Sequence, residues 1–334
     1  MPRPAVLLAA LSSQELTEFL PERLFAEMRA LPVRFEHRDP TRVSTEEFYR
    51  ELAAVNPEVL VTCWKTPPLP PSLPPALRYV CHLAGSIKHL VAREQIAGGL
   101  VVSNWGGSIS RIVAEWALFH ILSCLRRATH WTLAMHRGGA WKDGGTETAS
   151  LFGRRVGLHG FGLVSRELVR LLQPFGCIIS ACAPDVTAET ESRHGIRRVA
   201  TLEELFAQNE VIVELAPLIP ATTGIITEKL LRLIPAGGVF VNVGRGAVVD
   251  EAGLLRVARE GKIMVGLDVF SKEPLPVDSG FRGLPNVTLT PHLAGPTTDR
   301  RRDAGAFALE NLTAYAADRP LQAVITTRVY DTST

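Results

Sequence analysis

The stretch from Val239 to His292 constrains the fold of this chain more than any other. It contains three short runs rich in valine, isoleucine, leucine and phenylalanine, each bounded by glycine, proline or asparagine. Such runs are typical of buried parallel strands rather than amphipathic helices. After each run comes a residue with acid, base or anion-binding chemistry, in turn Arg245, Glu273 and His292. Because the carboxyl ends of parallel strands meet at one edge of a sheet, we expect these side chains along that edge, where open α/β sheets bind ligands.

Length and composition limit the class of protein. A chain of 334 residues can form two domains, each with its own core. Hydrophobic content of 46% and charged content of 21% are typical of globular proteins. A formal net charge of +2 gives no strong attraction for nucleic acid or a membrane surface, so neither is predicted as a partner. No run approaches the roughly 20 apolar residues needed to span a bilayer.

The first residues and the cysteines favour a cytoplasmic location. Arg3 precedes an apolar run, as in a signal peptide, but Ser12 and Glu15 form a capping-box pattern directly after it. We therefore predict a strand followed by a helix. The five cysteines form no C-x-x-C pair and are odd in number, which favours reduced thiols over disulfides. No metal site is predicted.

Residues 1–103 alternate between strand and helix patterns, which predicts a small α/β unit. A long helical pattern over Asn104–Arg127 follows, and we expect it to cross from one domain to the next. The predicted strands here are Ala5–Ala10, Val59–Cys63, Tyr79–Leu83 and Leu100–Ser103, and the predicted helices are Ser13–Ala30 and Glu46–Ala54.

A glycine turn lies near the middle of the chain. The apolar run Val156–His159 leads into Gly160-Phe161-Gly162, and a helical pattern continues to Leu172. Strand, tight glycine turn and helix in this order are typical of a dinucleotide pyrophosphate site, although Ser165 stands where the motif has its third glycine. Further patterns after the polar stretch Arg137–Thr148 predict six strand-helix units from about 152 to 291, a doubly wound sheet.

An acid that binds the cofactor ribose is expected at the end of the next strand, Ile178–Cys182. That position holds Ala183, and the nearest acid is Asp185. Asp185 suits a ribose ligand and a turn residue after Pro184 equally well.

Five motifs occur in a characteristic order: the glycine turn at 157–162, Pro217 with the P-x-T-x-G run Pro220–Gly224, VNVGRGAVVDE at 241–251, LDVFSKEP at 267–274 and TPHLAG at 290–295. With them the chain resembles the D-isomer-specific 2-hydroxyacid dehydrogenases, which include glyoxylate/hydroxypyruvate reductases and phosphoglycerate dehydrogenases. The resemblance implies an α/β protein of two Rossmann-like domains with doubly wound parallel sheets and an active site in the interdomain cleft. The flavodoxin-like substrate domain would be 1–103 plus 292–334, and the NAD(P)-binding domain 104–291. A homodimer formed mainly through 104–150 is also implied.

The resemblance implies a role for each matched residue. Arg245 would bind the substrate carboxylate and polarise the 2-oxo group. His292 would be the general acid and base, hydrogen-bonded by Glu273, which would orient it and stabilise the imidazolium. Gly85 and Ser86 would offer backbone amides to the carboxylate, and Asp268 would receive the nicotinamide carboxamide. The implied cofactor-binding residues are Gly160, Phe161, Gly162, Leu163, Val164, Asp185, Ala216, Pro217, Thr222, Val243, Gly244, Asp268 and Gly295.

The implied activity is D-specific hydride transfer between a nicotinamide and C2 of a small 2-oxo or 2-hydroxy acid. NAD is slightly favoured, and NADP stays open because of Ala183. The segment Ile87-Lys88-His89-Leu90 replaces the family's usual Asp-x-x-Asp and, with Trp105 and Trp116, leaves the substrate open. Lys65 and Lys88 are either anion contacts or ordinary surface lysines.

Two other functions fit the same motifs. One is a phosphite-type anion dehydrogenase, because Glu273 argues against a formate-type site but not against phosphite. The other is a nucleotide-sensing, corepressor-like binding protein, which we rank last because the sequence shows no long insertion that could carry partners.

Overall fold

A computed structural model of the chain describes residues 5–143 and 147–332. The strands are β1 (Val6–Ala10), β2 (Arg34–Arg38), β3 (Val59–Thr62), β4 (Tyr79–His82), β5 (Val101–Ser103), β6 (Arg155–His159), β7 (Ile178–Cys182), β8 (Arg197–Arg198), β9 (Val211–Glu214), β10 (Val239–Asn242), β11 (Met264–Leu267) and β12 (Val287–Leu289). The helices are α1 (Ser13–Phe19), α2 (Glu22–Arg29), α3 (Thr45–Val55), α4 (Arg93–Ala97), α5 (Ser110–Leu125), α6 (Ala128–Gly138), α7 (Leu163–Leu172), α8 (Ala188–His194), α9 (Leu202–Gln208), α10 (Glu228–Leu231), α11 (Glu251–Arg259), α12 (Arg301–Ala316) and α13 (Thr327–Thr332).

The chain divides into two compact units. The first consists of Met1–Ile109 and Pro296–Thr334, and the second of Ser110–Gly295. In the first unit a parallel sheet has the strand order β2-β1-β3-β4-β5, which is the flavodoxin-like order. Its core joins Leu60 and Val80 of the sheet to Phe48 and Leu52 of α3. The capping box predicted for the first helix is confirmed, since Ser12 and Glu15 bond each other's backbone amides.

The second unit is built on a parallel sheet with the order β12-β11-β10-β9-β6-β7-β8. Apolar clusters cover both of its faces: Val211 and Val213 of β9 pack in the cluster that includes α5 and α7, whereas Ile212 packs in the cluster of α9, α10 and α11. Strand order reverses between β6 and β9, and ligands of doubly wound sheets bind at such a reversal. The predicted fold class, two Rossmann-like units with parallel sheets, is confirmed.

Two predicted helices have different bounds. The predicted helix Ser13–Ala30 is wrong, because α1 ends at Phe19 and α2 begins after Pro21. Proline lacks an amide hydrogen and disfavours helical backbone in the residue before it, so the chain breaks there. The predicted helix Asn104–Arg127 is also too long, since α5 begins at Ser110 and Arg127 has a positive φ of 51°. Because the units divide before Ser110, the helix itself does not cross between them.

Some elements had no clear sequence signal. They are β2, β8, α4, α6, α8 and α13, and the strand β8 adds a seventh strand to the six predicted between 152 and 291. The two strands consist mainly of charged residues and lie at the edges of their sheets, so they carry no apolar run. Helix α6 extends into the polar stretch Arg137–Thr148, of which residues 144–146 lie outside the described residues.

All five cysteines are unpaired. Among the described residues, no helix has the length and apolar character needed to cross a membrane.

Candidate active site

The predicted phosphate turn lies at the reversal of strand order in the second unit. Gly160 has a φ of 87°, and a Cβ placed on it would lie 2.8 Å from the backbone nitrogen and Cα of Ala216. Only glycine fits there. A Cβ on Gly162, which caps the amino end of α7, would meet nothing within 4 Å. A tight turn, an open approach at Gly162 and the amide groups of a helix amino terminus fit a dinucleotide pyrophosphate.

Ser165 explains how the turn tolerates the loss of the third motif glycine. Its side chain is fully buried, and Oγ donates a hydrogen bond of 2.9 Å to the carbonyl oxygen of Gly160. The hydroxyl thus fixes the first glycine from inside α7, and the departure from the motif preserves the geometry of the turn.

A buried ionisable pair supports the other side of the turn. His159 Nδ1 donates to Glu214 Oε2 at 2.5 Å, and the other oxygen of Glu214 accepts the amide of Ala216 at 2.8 Å. His159 and Glu214 face each other in the register of β6 and β9. From the sequence, no role was assigned to His159 or to Glu214. The sequence does mark this pair, because each is a polar residue at the carboxyl end of a mostly apolar strand.

The other predicted cofactor residues vary in exposure. Thr222 closes its loop by donating to the carbonyl oxygen of Pro217 at 2.5 Å, and Gly244 donates its amide to Asn242 Oδ1 at 3.0 Å. Asp185 is exposed and has no hydrogen-bond or ion-pair partner among the described residues, so its role toward the ribose stays a prediction. Of the rest, Phe161, Val243 and Ala216 are buried, Val164 and Gly295 are half-buried, and Leu163 is exposed.

Arg245 directly follows the turn after β10. A Cβ on the next residue, Gly246, would lie 2.0 Å from the carbonyl carbon of Phe270, so only glycine lets this loop approach the one after β11 so closely. The half-buried guanidinium of Arg245 donates to the carbonyl oxygen of Gly244 at 2.8 Å and forms no ion pair with any described residue. Burial lowers the pKa of Arg245, while the nearby charge of Glu273 acts in the opposite direction. A desolvated, unpaired cation favours binding of an anion.

His292 and Glu273 form a directly hydrogen-bonded pair. Nδ1 of His292 lies 2.7 Å from Oε2 of Glu273, and Oε1 of Glu273 accepts the amide of Phe270 at 2.9 Å. The imidazole is 48% exposed, so the ring is oriented by Glu273 while part of it stays open to a ligand. The backbone of His292 has a φ of 56°, a conformation that costs a non-glycine residue about 1–3 kcal/mol and persists only where neighbours enforce it.

Asp268 enforces that conformation. Its carbonyl oxygen accepts the amide of His292 at 2.8 Å. Its fully buried carboxylate accepts hydrogen bonds from the amides of Leu293 and Ala294 at 2.9 and 2.8 Å. Two side chains complete the set, Trp116 Nε1 at 3.0 Å and Thr290 Oγ1 at 2.6 Å. The contact with Asp268 gives Trp116 a structural role that the sequence left open, whereas a role of Asp268 toward the nicotinamide carboxamide stays a prediction.

The predicted substrate loop lies in the first unit, after β4. The carbonyl oxygen of Gly85 accepts the side-chain amide of Asn104 at 2.7 Å, and the carbonyl oxygen of Ala84 accepts the amide of Trp105 at 3.2 Å. Nζ of Lys88 lies 5.7 Å from the ring centre of Tyr330, which favours a cation–π contact within the unit. The structure therefore joins Arg245, Glu273 and His292 in the second unit and places Gly85 and Ser86 in the first.

Comparisons with known proteins identify the family to which this chain is similar. A sequence model of the D-isomer specific 2-hydroxyacid dehydrogenase NAD binding domain matches residues 118–294, just over half of the chain. A glyoxylate/hydroxypyruvate reductase from Arabidopsis thaliana is 32% identical over 249 residues, which are 74% of this chain and 76% of that protein. A hydroxyphenylpyruvate reductase from Plectranthus scutellarioides is 32% identical over 225 residues, 67% of this chain and 70% of that protein.

Solved structures share the fold over nearly the full length. The apo D-mandelate dehydrogenase of Rhodotorula graminis aligns with a TM-score of 0.84 and 22% identity, covering 97% of this chain and 98% of the other. Together with the family match and the curated relatives, the likeness leads to one assignment. The chain belongs to the D-isomer specific 2-hydroxyacid dehydrogenase family and carries the NAD-binding domain of that family.

Proposed function

We propose that this NAD(P)-dependent oxidoreductase reduces a small 2-oxo acid to the corresponding D-2-hydroxy acid. The observation that carries the proposal is the hydrogen-bonded pair Glu273–His292 near the half-buried guanidinium of Arg245, which has no carboxylate partner among the described residues. A proton donor beside an anion-binding cation is what reduction of a 2-oxo carboxylate requires. The relatives are named reductases of 2-oxo acids, which supports this direction.

Arg245 binds the substrate carboxylate and polarises the adjacent carbonyl group. A planar guanidinium forms two parallel hydrogen bonds with a carboxylate, which fixes the orientation of C2. The family resemblance also assigns the amides of Gly85 and Ser86 to the substrate carboxylate. Since the cation is already partly desolvated, it interacts with an anion more strongly than a surface arginine would.

His292 transfers the proton. Because Glu273 accepts a hydrogen bond from Nδ1, the nitrogen that gives its proton to the 2-oxo oxygen is Nε2. The carboxylate of Glu273 stabilises the imidazolium before transfer and keeps the ring in place afterwards. The bound NAD(P)H supplies the hydride to C2.

The cofactor is bound at the glycine turn. Amides of Gly160, Phe161 and Gly162 and of the first turn of α7 bind the pyrophosphate, and the loops around Ala216, Thr222 and Gly244 contact the rest of the dinucleotide. We propose NAD as the preferred cofactor, with Asp185 as the acid near its ribose. Ala183 leaves space for NADP.

We also propose a homodimer formed through 104–150 and a location in the cytoplasm. Large apolar side chains in this region are exposed, with Leu133 at 43%, Met135 at 48% and Trp141 at 72%. Clusters of exposed apolar side chains are typical of interfaces. The odd number of cysteines, with no C-x-x-C pair, favours a reducing compartment.

A substrate panel tests the activity. Wild type, Arg245→Ala and His292→Ala are assayed with NADH and NADPH against glyoxylate, hydroxypyruvate, pyruvate and phenylpyruvate, and cofactor binding is measured by fluorescence titration. We expect both variants to lose turnover and keep cofactor affinity, while Arg193→Ala, which removes an exposed arginine of α8, keeps both. Wild-type turnover by either site variant contradicts the mechanism.

The phosphite-type and corepressor-like alternatives gain no support from the relatives, and each requires that no 2-oxo acid be reduced.

A further inference from the structure

Two tryptophans lie on either side of the predicted substrate loop at one edge of the first sheet. Strands β3, β4 and β5 are parallel neighbours, so their carboxyl ends share an edge. Trp64 lies two residues after β3, Gly85 three residues after β4 and Trp105 two residues after β5. Ligands of such sheets bind outside this edge. The loop proposed to offer amides to a carboxylate thus follows the strand that lies between those preceding the two tryptophans.

Trp105 contacts both of the other segments. The rings of Trp64 and Trp105 meet edge to face, with centres 6.2 Å apart and planes at 84°. A Cβ on Gly85 would lie 2.7 Å from the indole of Trp105, so the loop packs flat against this ring. The amide of Trp105 also bonds to Ala84 at 3.2 Å. The indoles and the loop amides therefore form one surface, apolar on one side and polar on the other.

Trp64 is held firmly although it is exposed. Its ring meets Phe19 edge to face at 5.2 Å between centres, and the guanidinium of Arg301 lies 5.2 Å from its ring centre. Arg301 is itself paired with Glu18. Even so, 40% of Trp64 is exposed to solvent. A rigid, partly exposed aromatic side chain next to hydrogen-bond donors is the usual composition of a small-molecule pocket.

Two cations near this surface, Arg301 and Lys88, have partners within the first unit. Arg301 is neutralised by Glu18, and Lys88 lies over Tyr330 within reach of the charge of Asp331. These two cations are engaged within the unit. An apolar, aromatic group matches the indole rings in shape and in polarity.

We infer that the protein selects 2-oxo acids whose side chain is an aryl or arylmethyl group, and that Trp64 and Trp105 are the specificity-determining residues. This inference rests on the proposed 2-oxo acid reductase activity. The carboxylate lies on the amides of Gly85 and Ser86, and the aromatic ring of the substrate lies against the two indoles.

Pyruvate and phenylpyruvate test the inference as a matched pair, because they differ by one phenyl group. With saturating NAD(P)H, we expect kcat/KM for phenylpyruvate to exceed that for pyruvate by about 10- to 100-fold, as burial of one aromatic ring allows. Trp64→Ala lowers this ratio by about 10-fold, mainly through the KM for phenylpyruvate, and Trp64→Phe restores most of it. Trp105→Ala lowers the ratio in the same direction. Phe152→Ala removes an exposed aromatic side chain of the second unit and leaves the ratio and the turnover of both substrates unchanged.

The outcomes separate the inference from the proposed function. If pyruvate is reduced as efficiently as phenylpyruvate, or if Trp64→Ala leaves the ratio unchanged, the aromatic selection is wrong while the reductase activity stands. If neither acid nor glyoxylate is reduced with either cofactor, the proposed function is wrong and the inference falls with it.

Discussion

Asp268 is the residue whose substitution most severely tests how the active-site loop is held. Its carboxylate accepts four hydrogen bonds in a fully buried position, three of them on Oδ1 and one on Oδ2. Asp268→Asn keeps the size of the side chain but removes the charge and turns one acceptor into a donor. With the amide oxygen in the Oδ1 position, the new NH2 group faces the amide of Ala294, and both are donors.

The structure sets the size of the effect. The lost bond leaves buried donors unsatisfied, which costs about 1–3 kcal/mol, and each remaining bond weakens by about 1 kcal/mol when its acceptor becomes neutral. We expect Asp268→Asn to destabilise the second unit by about 4–6 kcal/mol, a large part of the 5–15 kcal/mol typical of a domain. For a domain of this size, this free energy corresponds to a fall in Tm of roughly 10 °C or more. Catalysis is lost as well, because the positive φ of His292 depends on the same loop.

Thermal unfolding followed by circular dichroism, together with kcat at a temperature where the variant is folded, measures both effects. Asp278→Asn makes the same chemical change at an exposed position of the second unit and should leave Tm and kcat unchanged. If Asp268→Asn unfolds within about 2 °C of wild type, the four bonds do not contribute as the structure indicates. If it is destabilised but fully active while folded, Asp268 does not hold His292.

Further predictions concern the glycine turn, a buried histidine, the proton donor and the proposed interface. Gly160→Ala lowers Tm, because the added Cβ would lie 2.8 Å from the backbone of Ala216. Gly162→Ala leaves Tm unchanged and weakens NADH binding, measured by calorimetric titration. Equal Tm values for the two variants would contradict this role of Gly160. Burial lowers the pKa of His120 in the folded protein to about 4, whereas the pKa of histidine in the unfolded chain is near 6.5. As pH falls below 6.5 the unfolded chain therefore binds the proton first, and the free energy of unfolding decreases. His120→Leu should remove about 2 kcal/mol of the difference in urea unfolding free energy between pH 7 and pH 5, and an unchanged difference would refute the assignment. Glu273→Gln lowers kcat by about 10-fold or more in steady-state assays with little change in NADH affinity, since the imidazolium loses its counter-charge; an undiminished kcat would remove Glu273 from the mechanism. Leu133→Asp shifts the protein from dimer to monomer in light scattering, and a wild type that is monomeric throughout would rule out the proposed interface.

Local sequence patterns were sufficient to predict those elements whose conformation depends on residues close by in the chain. The apolar runs of β10, β11 and β12 predicted buried strands, the capping box at Ser12 predicted the start of α1, and Gly160 marked the turn after β6. The motif order also predicted that Arg245, Glu273 and His292 belong to one site, and the structure brings Glu273 and His292 into contact.

Only the tertiary structure decided which distant residues meet. Trp116 and Asp268 are 152 positions apart, and their bond exists because α5 packs over β10 and β11. Glu214 meets His159 because β9 pairs with β6 although β7 and β8 come between them in the chain. Trp64 reaches Trp105 across β4 in the same way. Periodicity reports whether a side chain is buried, but strand order decides what it touches. The residues proposed to be catalytic could therefore be named from the sequence, while the groups that hold them and the surface proposed to select the substrate depended on strand order.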